Sequence, residues 1–393
     1  MAHIKTLDSL KIITPLILTM ALSACGGGSS TSAPTTPTTP DPTTPTTPTS
    51  TDDEQFGLWL TDLADNVILP GYQDLQSKAQ ALSEQSVSFC AINSPAANDL
   101  QALQQSWADF NGSWQNIQWI KVGPVLEASR LFRLELWPDT NDSVTTDIAS
   151  ILNEPEITAE LFAAKYVGGQ GIPALEVFLF STNAQTSLLT ANDKAKRCEA
   201  VQAISENLVN IATDVNNEWK ATSGNYVASL KAGTGDFTSR KDAVEELVTN
   251  WLEQVERVKD EKLLQPLASN SPGIPSIAEF TLANESIASI KVNVNAFSQL
   301  YTAGNGHGFN TILTDHFEQQ TISNDMSSKI AAIEAALNIL DTNMTFAQLL
   351  NDEDSRAQIV EIIQKIRELR DVITADFVQA TDINIGFNSN DGD

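Results

Sequence analysis

Ile330-Ala331-Ala332-Ile333-Glu334-Ala335-Ala336-Leu337-Asn338-Ile339-Leu340 decides the fold class: its apolar residues recur at intervals of three and four, the period of one face of an α-helix. The same period runs through Ser355–Thr381 in Ile359, Ile362, Ile363, Ile366, Leu369, Val372, Ile373 and Phe377, and it recurs over 193–219 and 240–264. No two alternating runs are joined by Asn-Gly or Asp-Gly, so no β-hairpin is indicated. The spacing predicts long helices near 53–86, 96–121, 192–221, 238–265, 280–303, 322–340 and 353–379, with shorter ones near 155–165 and 173–182. Pro70 is expected to interrupt or kink the first of them. Helices of this length joined by modest loops build up-and-down bundles. The expected architecture is all-α, a pair of helical bundles packed together. The N-terminal bundle takes 53–228 and the C-terminal bundle 229–393, divided near the glycines Gly224, Gly233 and Gly235.

Ahead of this body stands a different kind of sequence. Residues 1–25 carry Lys5 and Lys11, an apolar stretch from Ile12 to Ala24, and the close Leu22-Ser23-Ala24-Cys25. Small residues before a cysteine are the pattern of a bacterial lipoprotein signal, which makes Cys25 the expected lipidation site; an ordinary secretory signal is the alternative. Gly26 in place of aspartate after that cysteine favours the outer membrane, with the body facing the periplasm. Residues 26–52 are Gly/Ser followed by Thr-Pro repeats, a composition with nothing to bury, expected to be a disordered, semi-rigid tether.

A formal net charge of −27 speaks against nucleic acid and against docking on anionic lipid. The membrane is instead reached through the anchor at Cys25. Beyond Cys25 only Cys90 and Cys198 remain. In an oxidising compartment they most simply form a disulfide, with two buried free thiols as the alternative.

One short stretch carries the chemistry. Gly171-Ile172-Pro173-Ala174-Leu175-Glu176 follows the glycine turn Gly168-Gly169-Gln170 and leads into Val177-Phe178-Leu179-Phe180. It resembles the G-x-H-x-x-E hallmark of the imelysin family of bacterial envelope proteins, with Pro173 where that pattern has histidine. The resemblance extends along the chain: Trp107 to Gly123-Pro124, Trp137-Pro138-Asp139, Lys262-Leu263-Leu264-Gln265-Pro266-Leu267, Glu285-Ser286-Ile287-Ala288-Ser289-Ile290-Lys291-Val292-Asn293, and the closing run Gly386-Phe387-Asn388-Ser389-Asn390-Asp391-Gly392-Asp393. It implies two related helical bundles with the motif near the cleft between them. It also brings two functional labels, metallopeptidase and iron-regulated lipoprotein of iron uptake.

The residues bear on those labels unequally. Proline offers neither a lone pair to a metal nor a proton to transfer. Of the three histidines, His3 lies in the leader, and neither His307 nor His316 has an H-x-x-E or H-E-x-x-H partner. A zinc peptidase needs three protein ligands and an open position, so that chemistry is disfavoured and no catalytic residue is assigned. Pro173 also suits a helix start, and Glu176 in the first turn complements the helix dipole, so the motif reads equally as a well-begun helix. If it forms a polar site between the bundles, its expected companions are Glu285, Ser289 and Asn293, which recur every four residues, and Lys262 as neutralising cation or solvated side chain. Oxygen ligands of this kind suit iron or another hard divalent cation, with Glu176 the best placed. His307, His316 and the tryptophans Trp107, Trp114 and Trp119 read as structural. The resulting expectation is a non-catalytic binding component of iron acquisition, taking iron, an iron complex or an envelope partner protein, with a metallopeptidase as the alternative.

Overall fold

Thr51 starts the body. Its hydroxyl accepts from Glu54 N–H (3.3 Å) and the Glu54 carboxylate accepts from Thr51 N–H (2.9 Å), a reciprocal cap of about 1 kcal/mol. A computed structural model of the chain describes residues 50–386, apart from the side chain of Ala163. The leader, Cys25, the Thr/Pro tether and the closing run from Phe387 lie outside the described residues. Among those described there is no strand, and no helix is long and apolar enough to cross a membrane.

From Thr51 one helix, α1, runs over 52–90. Pro70 does not break it. A π turn, Ala64–Ile68, lies immediately upstream, and Leu69–Cys90 continues with Pro70 in its first turn. The wider turn accommodates a residue that has no N–H to give. The next helices are α2 (Ala97–Ile117), α3 (Ile172–Phe180) and α4 (Lys194–Trp219). The second half holds α5 (240–267, with a π segment at Val258–Leu264), α6 (Ser286–Thr302), α7 (Gln320–Leu337) and α8 (353–381). Short helices sequence periodicity did not suggest fill Arg130–Leu134, Ser143–Ile151, Tyr226–Ala232 and Phe346–Asn351. The third of these occupies the glycine-rich stretch between the halves. Helix α6 begins six residues later than its expected start at 280, because Phe280 (φ 52°) and Asn284 (φ 59°) are left-handed and hold 278–285 as a turn.

In the first half α1 packs along both α2 and α4, and in the second α7 packs along α8. The halves meet chiefly where α2 lies on α6. The α1–α2 approach is so close that a Cβ on Gly71 would stand 2.4 Å from Ile117 Cγ2. The front of α1 reaches across to the second half. Trp59 packs on Phe309 with ring centroids 4.6 Å apart, and Asn66 donates to Ala303 O at 3.1 Å. The apolar faces read from the sequence form the core: Ile359, Ile362, Ile363, Ile366 and Leu369 of α8 are all buried.

Cys90 and Cys198 are joined, tying the end of α1 to the first turns of α4. The link closes a loop of 108 residues, which in the chain-entropy view contributes about 4–5 kcal/mol.

Candidate functional site

The motif turn is set by close packing. Gly171 is the N-cap of α3, and a Cβ there would stand 2.6 Å from Leu134 O, so no side chain fits without moving backbone. Pro173 lies in the first turn, where its missing N–H leaves no bond unmade. Helix α3 is locked to α2 by Trp107, whose indole N–H donates to Ile172 O at 3.1 Å.

Glu176, one turn later, is 7 % exposed and crosses to the second half, where its carboxylate accepts from Ala283 N–H at 2.9 Å. Burial pushes its carboxyl up to about 7; the bonds from Ala283 and Leu282 pull the other way, and Glu279 adds to the rise. The motif glutamate thus latches α3 to the turn before α6.

Deeper between α2, α5 and α6 lies a polar cluster centred on Lys262, 1 % exposed and part of the π segment of α5. Its ammonium donates to Gln115 Oε1 (2.7 Å), Gln118 Oε1 (2.9 Å) and Asn293 Oδ1 (2.8 Å), and pairs with Glu279 Oε2 at 2.9 Å. The Trp137 ring lies 5.9 Å from Nζ. The amide orientations are fixed by other bonds: Asn293 Nδ2 donates to Gln115 O (2.7 Å) and Gln118 Nε2 to Glu135 Oε2 (2.9 Å). Glu135 also accepts from the indole of Trp114 at 2.6 Å. Burial pulls Lys262 below the usual lysine range, while Glu279 and then Glu135 push back. Four acceptors face Nζ, so a neutral amine would strand its lone pair; the cage suits an ammonium. Burial raises Glu279, Lys262 pulls it down, and the neighbouring Glu135 raises it again.

Of the residues singled out in the sequence, Lys262 and Asn293 meet directly. Lys262 is the buried neutralising cation, not the solvated side chain. Ser289 is buried beside them and accepts from Asn111 Nδ2 at 3.1 Å. Glu285 stands apart at the N-cap of α6, half-buried, with burial raising its carboxyl and no side-chain hydrogen bond among the described residues. Glu176 belongs to the latch and makes no bond to the Lys262 cage. Glu135, Glu279, Gln115 and Gln118 escaped the sequence reading. For the two glutamines a signal existed: Asn111, Gln115 and Gln118 recur at four and three along the tryptophan helix, one face of it. Trp107, Trp114 and Trp119 are core residues. His307 Nε2 contacts Gln55 Oε1 (2.7 Å) and His316 Nε2 contacts Asp52 Oδ1 (2.6 Å), both holding the front of α1.

A resident divalent metal does not fit this arrangement. Pro173 supplies no lone pair, Glu176 is engaged by backbone N–H, and the nearest further carboxylate, Glu279, faces an ammonium. Among the described residues no three His, Cys, Asp or Glu side chains are grouped to hold a metal ion.

Comparison with known proteins bears on the fold and the lineage. An imelysin-like protein from Psychrobacter arcticum 273-4 superposes with a TM-score of 0.71 at 21% identity, over 86% of this chain and 99% of that one. A protein from Parabacteroides distasonis ATCC 8503, provisionally named an iron-regulated protein A precursor, superposes with a TM-score of 0.64 at 17% identity, over 83% and 95% of the two chains. No curated protein sequence matches the chain. The imelysin family profile, peptidase M75, matches residues 68–373, a span that includes the Gly171–Glu176 motif, Lys262 and Asn293, and the chain belongs to the imelysin family.

Proposed function

We propose that this is a lipid-anchored imelysin-family protein that binds rather than cleaves, and that it serves iron acquisition at the outer membrane, facing the periplasm. The observation that carries the non-catalytic part is the pairing of Pro173 with an engaged Glu176. The position that would offer an imidazole starts a helix, and the carboxylate beside it holds Ala283 N–H. No water-activating group is left between them. The leader ending at Cys25 supports the anchor, and the name of the Parabacteroides protein of like fold supports the link to iron. Iron on this reading is cargo, arriving as a complex or through a partner protein, rather than a cofactor held by the motif.

The test uses the chain from Ser50 onward, which forms one compact unit. Wild type and Glu176→Ala are incubated with zinc, iron or calcium and an unfolded protein substrate, and metal content is measured by elemental analysis. No cleavage by either is expected. Stoichiometric metal and cleavage, both lost in Glu176→Ala, would establish the peptidase and sink this reading. Titration with ferric citrate checks the cargo, and absence of any binding would remove the iron-complex part.

A further inference from the structure

On the far side of α6 from the sealed cluster, two cavities adjoin. One, about 250 Å³, is lined by Lys291, Asn295, Glu334, Leu337 and Asn338. The other, about 140 Å³, has an apolar floor that includes Ile287, Leu340, Met344, Phe346 and Leu349, and Lys291 lies in both. Three of the other polar wall residues are engaged locally. Asn284 Oδ1 accepts from Phe346 N–H (3.1 Å), Asp341 accepts from Asn343, and Asn295 Oδ1 accepts from Gln299 Nε2 (2.6 Å).

Lys291 and Glu334 are different. They line the same cavity, yet neither makes an ion pair or side-chain hydrogen bond to the other or to any described residue. In a chain with 50 acidic against 23 basic side chains, a half-buried lysine with no acidic partner is out of place unless something else meets it. Two opposite charges facing one space without touching are complementary to a ligand that carries both signs. The adjoining apolar floor is complementary to a tail on the same ligand.

We propose that this groove binds a free amino acid with a large apolar side chain. Its carboxylate meets Lys291 Nζ, its ammonium meets the Glu334 carboxylate, and its side chain lies on Ile287, Leu340, Met344, Phe346 and Leu349. A phosphate ester is disfavoured, because Glu334 and Asp341 on the walls repel a dianion. The assignment is independent of the iron reading, since the groove shares no residue with the motif or with the Lys262 cluster.

The experiment is calorimetric titration of the chain from Ser50 with L-leucine, glycine, leucinamide and N-acetyl-leucine. L-leucine is expected to bind, and Lys291→Ala and Glu334→Gln are each expected to weaken it by about tenfold or more, one charged contact's worth. Glycine, lacking the tail, should bind more weakly. Leucinamide should be indifferent to Lys291→Ala, and N-acetyl-leucine to Glu334→Gln. Both substitutions lie on the cavity wall rather than in the core, and circular dichroism checks that the fold is kept. No binding of L-leucine at millimolar concentration, or equal binding by the Lys291→Ala/Glu334→Gln double variant, would overturn the proposal. N-acetyl-leucine binding as tightly as leucine would overturn the two-charge recognition.

Discussion

Lys262 and Lys291 lie near opposite faces of the same helix and have opposite surroundings. Lys262 is 1 % exposed and meets three amide oxygens and a carboxylate within 2.9 Å. Lys291 is half-buried beside open space and meets none. The difference separates architecture from recognition. A charge whose every donor has an internal acceptor holds elements in register, whereas one left without partners beside a cavity is available to a ligand. The motif glutamate falls with Lys262, because the Ala283 N–H already engages it. Glu176 and Lys262 each bridge the two halves, Glu176 to Ala283 and Lys262 to Gln115 and Gln118.

Lys262 is the residue whose loss the fold should tolerate least. Replacing it with methionine keeps the volume but leaves Glu135 and Glu279 without the ammonium and Asn293 Oδ1 without its donor, while Gln115 and Gln118 keep theirs from Asn293 and Gln254. Removing one partner of such a buried pair costs about 3–5 kcal/mol, so Lys262→Met should lower the urea midpoint steeply. Adding Glu279→Gln should recover part of the loss, since it removes the uncompensated acid. A loss below about 1 kcal/mol would mean the cage is not what holds α2, α5 and α6 together.

Glu176 makes the stability of the chain depend on pH. Its folded-state value, about 7, lies above its ordinary 4.5, so between those limits the folded chain binds more protons at this site than the unfolded chain. Its contribution is therefore fully present below pH 4.5 and is lost as pH rises to about 7. The full span is worth about 3 kcal/mol. Glu176→Gln keeps an acceptor for Ala283 N–H and has nothing to titrate. Its stability relative to wild type should rise across that window and then level off. A flat difference would show that Glu176 is solvated rather than latched. Glu176→Ala is expected to cost about 1–3 kcal/mol below pH 4.5 through the orphaned Ala283 N–H, a deficit that shrinks as pH rises to about 7 because the wild type then loses its own contribution.

The helices were legible because burial imposes a period, and the isoleucines of α8 show it without ambiguity. Their ends were less so. Asn284 is a residue that tolerates a left-handed turn but Phe280 is not, so nothing at 280 marks the break and α6 is expected to start there; Pro70 likewise gives no sign that a π turn carries α1 past it. The site divided in the same manner. Glu176, Lys262, Ser289 and Asn293 stand out in matched stretches or at helical spacing. Glu135 and Glu279 are single acids, and an isolated glutamate reads as solvated until the fold brings an ammonium to it. Lys262 itself was compatible with either burial or solvent, a choice made by α2 and α6 rather than by its neighbours in sequence. The cavity at Lys291 depends on how 341–349 returns against α6 after the periodic run ends at Leu340, and that return leaves no periodic trace.

The smallest expected effect on stability is the most discriminating. Lys291→Ala and Glu334→Gln remove charges that no described residue meets, so each should change the unfolding free energy by less than about 0.5 kcal/mol. The same substitutions are expected to weaken leucine binding by about tenfold, and stability unchanged with recognition lost is the signature of a ligand-facing charge. If Lys291→Ala instead destabilises the chain on the scale of Lys262→Met, the two lysines do the same work. The contrast between a sealed face and an open face of α6 then fails, because Lys291 would be holding 334–349 against the helix in place of any ligand.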